Sequence, residues 1–283
     1  MPDAVTSDYS ILSLVLLSAI LHASWNALAK RSVDPLLAIW LVVIGCALVA
    51  SLALPFVSFP SRETWPYLAA SLVLHLTYQL FLAYAYSKGD LSQVYPIARG
   101  IAPCIVAVMA ALFAGEPLTP IRTAGVSLAT LSIASLALGP SFHADGKAIG
   151  AAIVTGLLIG TYTYVDGQGV RHAEVIGDFI AWSLFLDAVP MTIAVLALRR
   201  KSIPAYLRTG LAYGLGGGVM ACFGYSIVLW AMTETNMAMV SSVRETSVIF
   251  AVLIGTWLLG EPFGARRTLA SVGVAAGIVL LTR

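Results

Sequence analysis

The chain reads as long apolar runs separated by short polar breaks. A run of about 20 mainly apolar residues is enough to cross a hydrocarbon core of about 30 Å as a helix. Ten runs meet that length. The first five are Ile11–Ala29, Pro35–Val57, Trp65–Tyr86, Leu91–Ala114 and Ile121–Leu138. The second five are Ala148–Gly167, Phe179–Leu198, Tyr206–Met232, Met237–Leu259 and Arg267–Leu281. A polar connector over residues 140–147, PSFHADGK, separates residues 1–139 from residues 148–283. The remaining breaks leave no room for a soluble domain.

The two halves echo each other. Sliding the first along by 145 positions lays Arg99 on Arg244, Gly115-Glu116-Pro117 on Gly260-Glu261-Pro262, and Arg122-Thr123 on Arg267-Thr268 without a gap. Placing Arg31 on Arg171 sets His22 on Tyr162 and Asn26 on Asp166. Chance rarely aligns two intramembrane arginines and a Gly-Glu-Pro turn at one offset, so an internal duplication is the better reading. Five spans per half is an odd number, so the second half must enter the bilayer in the opposite sense. The expected fold is therefore all-α: ten transmembrane helices as two inverted five-helix repeats around a central cavity, an architecture that secondary transporters use.

Composition agrees. Of 283 residues 59% are hydrophobic and 11% charged, against about 25% charged in a soluble domain. The lipid bilayer is thus the main partner, on a cell (inner) membrane with multiple passes. The net charge of +2 is too small and dispersed for nucleic acid. The acidic, uncharged-basic start MPDAVTSDYS does not read as a cleavable signal peptide. Cys46, Cys104 and Cys222 show no metal or disulfide spacing and read as packing residues; no cofactor or metal is expected. Loop charge bears on sidedness. One set of alternate loops holds Arg62, Arg122, Arg171 and Arg283, while the other holds Lys30, Arg31, Lys88, Lys147, Arg199, Arg200, Lys201, Arg208, Arg266 and Arg267. The positive-inside rule puts the richer set in the cytoplasm and both termini outside.

Candidate chemistry lies in polar side chains that the apolar runs should not contain. Arg99 and Arg244 sit well inside their spans, where an ionised group costs about 2.5–3.5 kcal/mol or more. One reading makes them cavity cations that receive an anionic group such as a carboxylate, through the guanidinium fork. The other makes them members of buried ion pairs, for instance Arg244 with Glu245 or Asp166. Helical spacing makes stripes of His22, Trp25 and Asn26, and of His75, Tyr78 and Gln79. Such groups must face protein or water, as cavity lining or as contacts between helices. Tyr95, Tyr162, Tyr164, Tyr225 and Trp230 supply aromatic faces for an apolar or aromatic substrate, and Ser242 and Glu245 complete a polar cluster beside Arg244. Pro96 and Pro103 should kink the fourth span, whereas its partner, the ninth, has Ser241 and Val248 at those positions. Gly216, Gly217 and Gly218 offer a second flexible point or a close helix contact. These five are the expected hinge residues of an asymmetric mover. Glu116 and Glu261, following glycine at helix ends, read as turn or capping residues.

Several of these motifs resemble the drug/metabolite transporter superfamily in its EamA-type branch of ten-helix carriers. They are Leu21-His-Ala-Ser-Trp-Asn26, the two Gly-Glu-Pro turns, the prolines of the fourth span, and the Ala-Met…Ser-Ser-Val pattern between Ala231 and Val243. The resemblance covers essentially the whole chain. It implies a cavity walled by spans one, three, four, six, eight and nine, and a substrate among amino acids, other small metabolites, sugars or drugs. Within the branch the chain looks most like the YddG-type amino-acid exporters. It further implies cytoplasmic termini, the reverse of the loop-charge expectation. The reading is a monomeric carrier, not an enzyme, that exports a small metabolite by alternating access, most readily an amino acid including aromatic and hydrophobic ones. The alternatives are an exporter of drugs or lipophilic cations and, from another class, an intramembrane enzyme.

Overall fold

In lipid a backbone has no hydrogen-bond partner but itself, so uninterrupted apolar runs must form helices. The computed structural model describes residues 2–30, 32, 34–88, 91–137, 145–250, 253–254 and 265–281. Among them the main elements are α1 (Pro2–Lys30), α2 (Pro35–Ser51), α3 (Trp65–Lys88), α4 (Leu91–Phe113), α5 (Pro120–Ala137), α6 (Gly146–His172), α7 (Ile176–Leu186), α8 (Ala188–Arg199), α9 (Ile203–Glu234), α10 (Met237–Arg244) and α11 (Ala265–Leu281). No strand occurs among the described residues.

Within the described residues the expected spans appear with three corrections. The second is shorter than Pro35–Val57, because α2 ends at Ser51 and a 3-10 turn over Leu54–Phe56 follows. The seventh is two helices, α7 and α8, that meet at Asp187. The ninth, expected to run unbroken, is interrupted where α10 stops at Arg244. There the N–H and the hydroxyl of Thr246 both donate to the carbonyl of Val243, at 3.1 and 2.7 Å, which turns the chain before helix resumes at Ser247. The fourth span, by contrast, runs as one helix through Pro96 and Pro103. The breaks in the seventh and ninth spans fall at polar residues, Asp187 and Glu245-Thr246, while α4 is continuous through its two prolines. Most of the connector and the second Gly-Glu-Pro turn lie outside the described residues.

Pairings between helices repeat when the halves are exchanged. Helix α3 packs along α6 as α9 packs along α1, α4 lies on α6 as α10 lies on α1, and α5 lies against α11. Close approach where α9 crosses α2 comes from absent side chains. A Cβ on Gly218 of α9 would fall 2.5 Å from the Cα of Gly45 and from the nitrogen of Cys46 on α2. Cys46 and Cys222 share a buried cluster with Ala50 and Leu184 beside that crossing. Polar ties fix the ends. Asp34 caps α2 by accepting from Leu36 N at 3.0 Å and Leu37 N at 3.3 Å, and its other oxygen pairs with Arg199 at 3.0 Å. On the outside, Leu52, Phe56, Leu112, Phe113, Leu131 and Leu269 stand exposed, the apolar face a lipid solvent requires.

Gly115 adopts φ +66°, a conformation that suits glycine. It lets the Glu116 N–H reach back to the Ala110 carbonyl at 3.1 Å and closes α4. Glu116 then caps a different helix. Its carboxylate accepts from Met237 N, the first residue of α10, at 3.1 Å and pairs with Arg171 at 2.7 Å. Arg171 in turn donates to the carbonyls of Met232 and Thr235. The first half's Gly-Glu-Pro turn thus fastens the entry of the ninth span.

Candidate functional site

A cavity holding about 740 Å³ of empty space, open solvent included, lies among α1, α2, α3, α6, α7, α9 and α10. Helix α1 contributes Ser18, His22 and Trp25; α3 contributes His75, Tyr78 and Gln79; α6 contributes Tyr162; α9 contributes Tyr225; α10 contributes Arg244. Ile39, Val42 and Val43 of α2 and Leu184 of α7 form an apolar wall, and Asp187 stands at the break in the seventh span. His75, Tyr78, Tyr162 and Tyr225 form an aromatic side, with Tyr162 4.1 Å from His75 and 5.1 Å from Tyr78 between ring centroids.

The two arginines do different things. Arg99 donates to Glu245 at 3.1 Å, with the pair 4% and 1% exposed. It also lies over the Tyr95 ring at 5.4 Å and touches Nε2 of His22. Arg99 is therefore a neutralised cation one layer behind the wall. Arg244 is 5% exposed, lines the cavity and sits 5.0 Å from the centroid of the Tyr225 ring. It has no hydrogen bond or ion pair within the described residues. The alternative reading, which pairs Arg244 with Glu245 or Asp166, does not hold among the described residues: Glu245 pairs with Arg99 and Asp166 with His75, at 3.0 Å. Tyr225 also donates to Asp166, so the aromatic side is braced from behind.

Of the residues singled out in the sequence, His22, Trp25, His75, Tyr78, Gln79, Tyr162, Tyr225 and Arg244 line one cavity. Tyr95, Arg99 and Glu245 support it. Four lie elsewhere. Asn26 donates its side-chain amide to the His22 carbonyl at 2.8 Å. Tyr164 turns away from Tyr162 and packs with Ile11, Val15 and Val106, and Trp230 packs against the same cluster. Ser242 is fully buried. Gly217 faces Val42 and Trp25, whereas Gly216 faces open space. Two residues went unsuspected. Ser18, whose hydroxyl donates to the Gly224 carbonyl at 2.8 Å, carries no signal. Asp187 carries one, a carboxylate in an apolar run three residues before Pro190, which is how a broken span reads.

Among the described residues, helices long and apolar enough to cross a membrane enclose a cavity set with a few polar side chains, with helices interrupted beside it, the build of a multi-pass membrane transporter. One solved structure, described only as "Crystal structure of protein", superposes with a TM-score of 0.77 at 16% identity over 96% of each chain, and 29 chains of solved structures match in all. That likeness shows a shared fold. No curated protein matches the chain. The sequence profile of the EamA-like transporter family matches residues 9–138 and again residues 146–283. The chain belongs to the EamA-like transporter family, built as two EamA repeats.

Proposed function

We propose that this chain is a secondary carrier that exports small carboxylate-bearing metabolites, aromatic and hydrophobic amino acids first among them, by alternating access. The observation that carries this reading is Arg244, a buried guanidinium that lines the cavity without a carboxylate partner among the described residues. An unpaired cation at membrane depth is costly, and an incoming carboxylate offsets that cost with a bidentate pair. The aromatic side formed by Tyr78, Tyr162 and Tyr225 suits an apolar side chain. Interrupted spans at Asp187 and at Glu245–Thr246 place irregular backbone where it can line a cavity. In this reading Pro96 and Pro103 give α4 its bend during the cycle, while Gly217 and Gly218 form the contact about which α2 and α9 pivot.

The test is counterflow in sealed proteoliposomes. Vesicles preloaded with L-phenylalanine should accumulate labelled L-phenylalanine saturably and release it to competing amino acids. Accumulation of tetraphenylphosphonium with no amino-acid flux would transfer the site to lipophilic cations. Chemical conversion of the probe inside the protein would instead mark an enzyme.

A further inference from the structure

Two side chains of opposite charge line this cavity without ion-pair partners among the described residues, and they do not pair with each other. One is Arg244. The other is Asp187. Its Oδ2 accepts from the Gln79 amide nitrogen at 2.8 Å, but its Oδ1 is buried with no partner. Gln79, 3% exposed, also lines the cavity, and its Oε1 is likewise buried and unpartnered. The carboxylate accepts, so the amide nitrogen must face it, and this leaves the amide oxygen free. Both orphaned atoms at this end are thus acceptors, and they adjoin one another across a single hydrogen bond.

Unmet acceptors call for donors. A water molecule would answer the hydrogen bonds but leave the carboxylate's charge uncompensated at membrane depth. An ammonium group answers both: it brings three donors and a positive charge, and Tyr78, which lines the same cavity, carries an aromatic ring of the kind that attracts cations. We propose that Asp187 and Gln79 form an ammonium subsite, so that the cavity is bipolar and its substrates are zwitterions. This rests on the reading of Arg244 as the carboxylate subsite and adds the opposite pole, on a different span and a different set of atoms.

The experiment measures binding to the purified full-length protein in detergent with three probes that share one ring. L-Phenylalanine carries both charges, 3-phenylpropanoate only the carboxylate, and 2-phenylethylamine only the ammonium. Wild type should bind L-phenylalanine at least about tenfold more tightly than either single-charge probe, a difference of about 1.4 kcal/mol. Asp187→Asn, which keeps the shape, should weaken L-phenylalanine and 2-phenylethylamine about tenfold or more while holding 3-phenylpropanoate within about twofold. Gln79→Leu should act the same way, more weakly. Arg244→Gln separates the two ideas: if it leaves 3-phenylpropanoate unaffected, the carboxylate reading falls, while loss of 2-phenylethylamine in Asp187→Asn still supports the ammonium subsite. The proposal is overturned if Asp187→Asn weakens all three probes alike, or none. It is also overturned if wild type binds none of them, or if sodium ions displace the amine and stabilise wild type but not Asp187→Asn, since the occupant is then a metal cation. Should the Asp187 variant fail to fold, the ranking of the three probes on wild type decides alone.

Discussion

Glu245→Gln separates a cation held by the protein from one left for a ligand. The substitution removes the countercharge from Arg99 and leaves its guanidinium buried, since Nη1 has Glu245 Oε1 at 3.1 Å as its carboxylate and the pair is at most 4% exposed. Breaking a buried pair by removing one partner costs about 3–5 kcal/mol. In a chain of this size about 1 kcal/mol moves the midpoint of thermal unfolding by roughly 2–4 °C, so Glu245→Gln should lower it by roughly 6–20 °C. Arg99→Gln should do much the same, by stranding Glu245. The double variant should recover most of the loss, because replacing both partners leaves no uncompensated charge. Arg244→Gln should lower the midpoint by less than about 3 °C, since no partner is stranded. Thermal unfolding in detergent, followed by intrinsic fluorescence with size-exclusion monitoring of each variant, measures all four. A double variant as unstable as the two single losses summed would refute the ion-pair reasoning. So would an Arg244→Gln loss equal to that of Glu245→Gln.

Other expectations follow from the same geometry. Gly218→Ala should cost about 1–3 kcal/mol by overpacking, because its Cβ would meet the backbone of Gly45 and Cys46 at 2.5 Å; Gly216→Ala, with nothing within 4 Å, should leave the unfolding midpoint unmoved. Pro96→Ala should restore a backbone donor inside α4 and slow L-phenylalanine counterflow more than it weakens L-phenylalanine binding; the opposite order would remove Pro96 from the hinge. A reporter active only in the cytoplasm, fused after Arg283, should stay silent if loop charge sets the topology, and a signal would favour the cytoplasmic termini that the family resemblance implies.

Much of the architecture is legible in the sequence because the bilayer imposes it. Ten apolar runs of spanning length and a repeat at one offset lead to an all-helical, two-repeat carrier with little room for alternatives. His22 and Trp25 of the first span and His75, Tyr78 and Gln79 of the third line one cavity, while Asn26 of the first stripe bonds back to its own helix. Pairing is less legible. Nothing local tells that Glu245 serves Arg99, 146 positions away, and not its neighbour Arg244. The breaks are hidden for another reason. Pro96 and Pro103 are conspicuous but sit in a continuous helix, whereas Arg244-Glu245-Thr246 contains no helix breaker and turns where the Thr246 N–H and hydroxyl both donate to the Val243 carbonyl. Tyr162 and Tyr164 look alike in the chain, yet two positions along a helix place one on the cavity and the other in the packing behind it.

The most direct test of the central claim, that Arg244 is the cation left for a substrate carboxylate, compares the equilibrium binding of L-phenylalanine and its amide by wild type, Arg244→Lys and Arg244→Gln. Wild type should prefer the free carboxylate to the amide by at least about tenfold. Arg244→Lys should keep part of that preference as a point charge without the fork, and Arg244→Gln should abolish it while the unfolding midpoint stays within about 3 °C of wild type. An unchanged preference for the carboxylate in a folded Arg244→Gln protein would contradict the account.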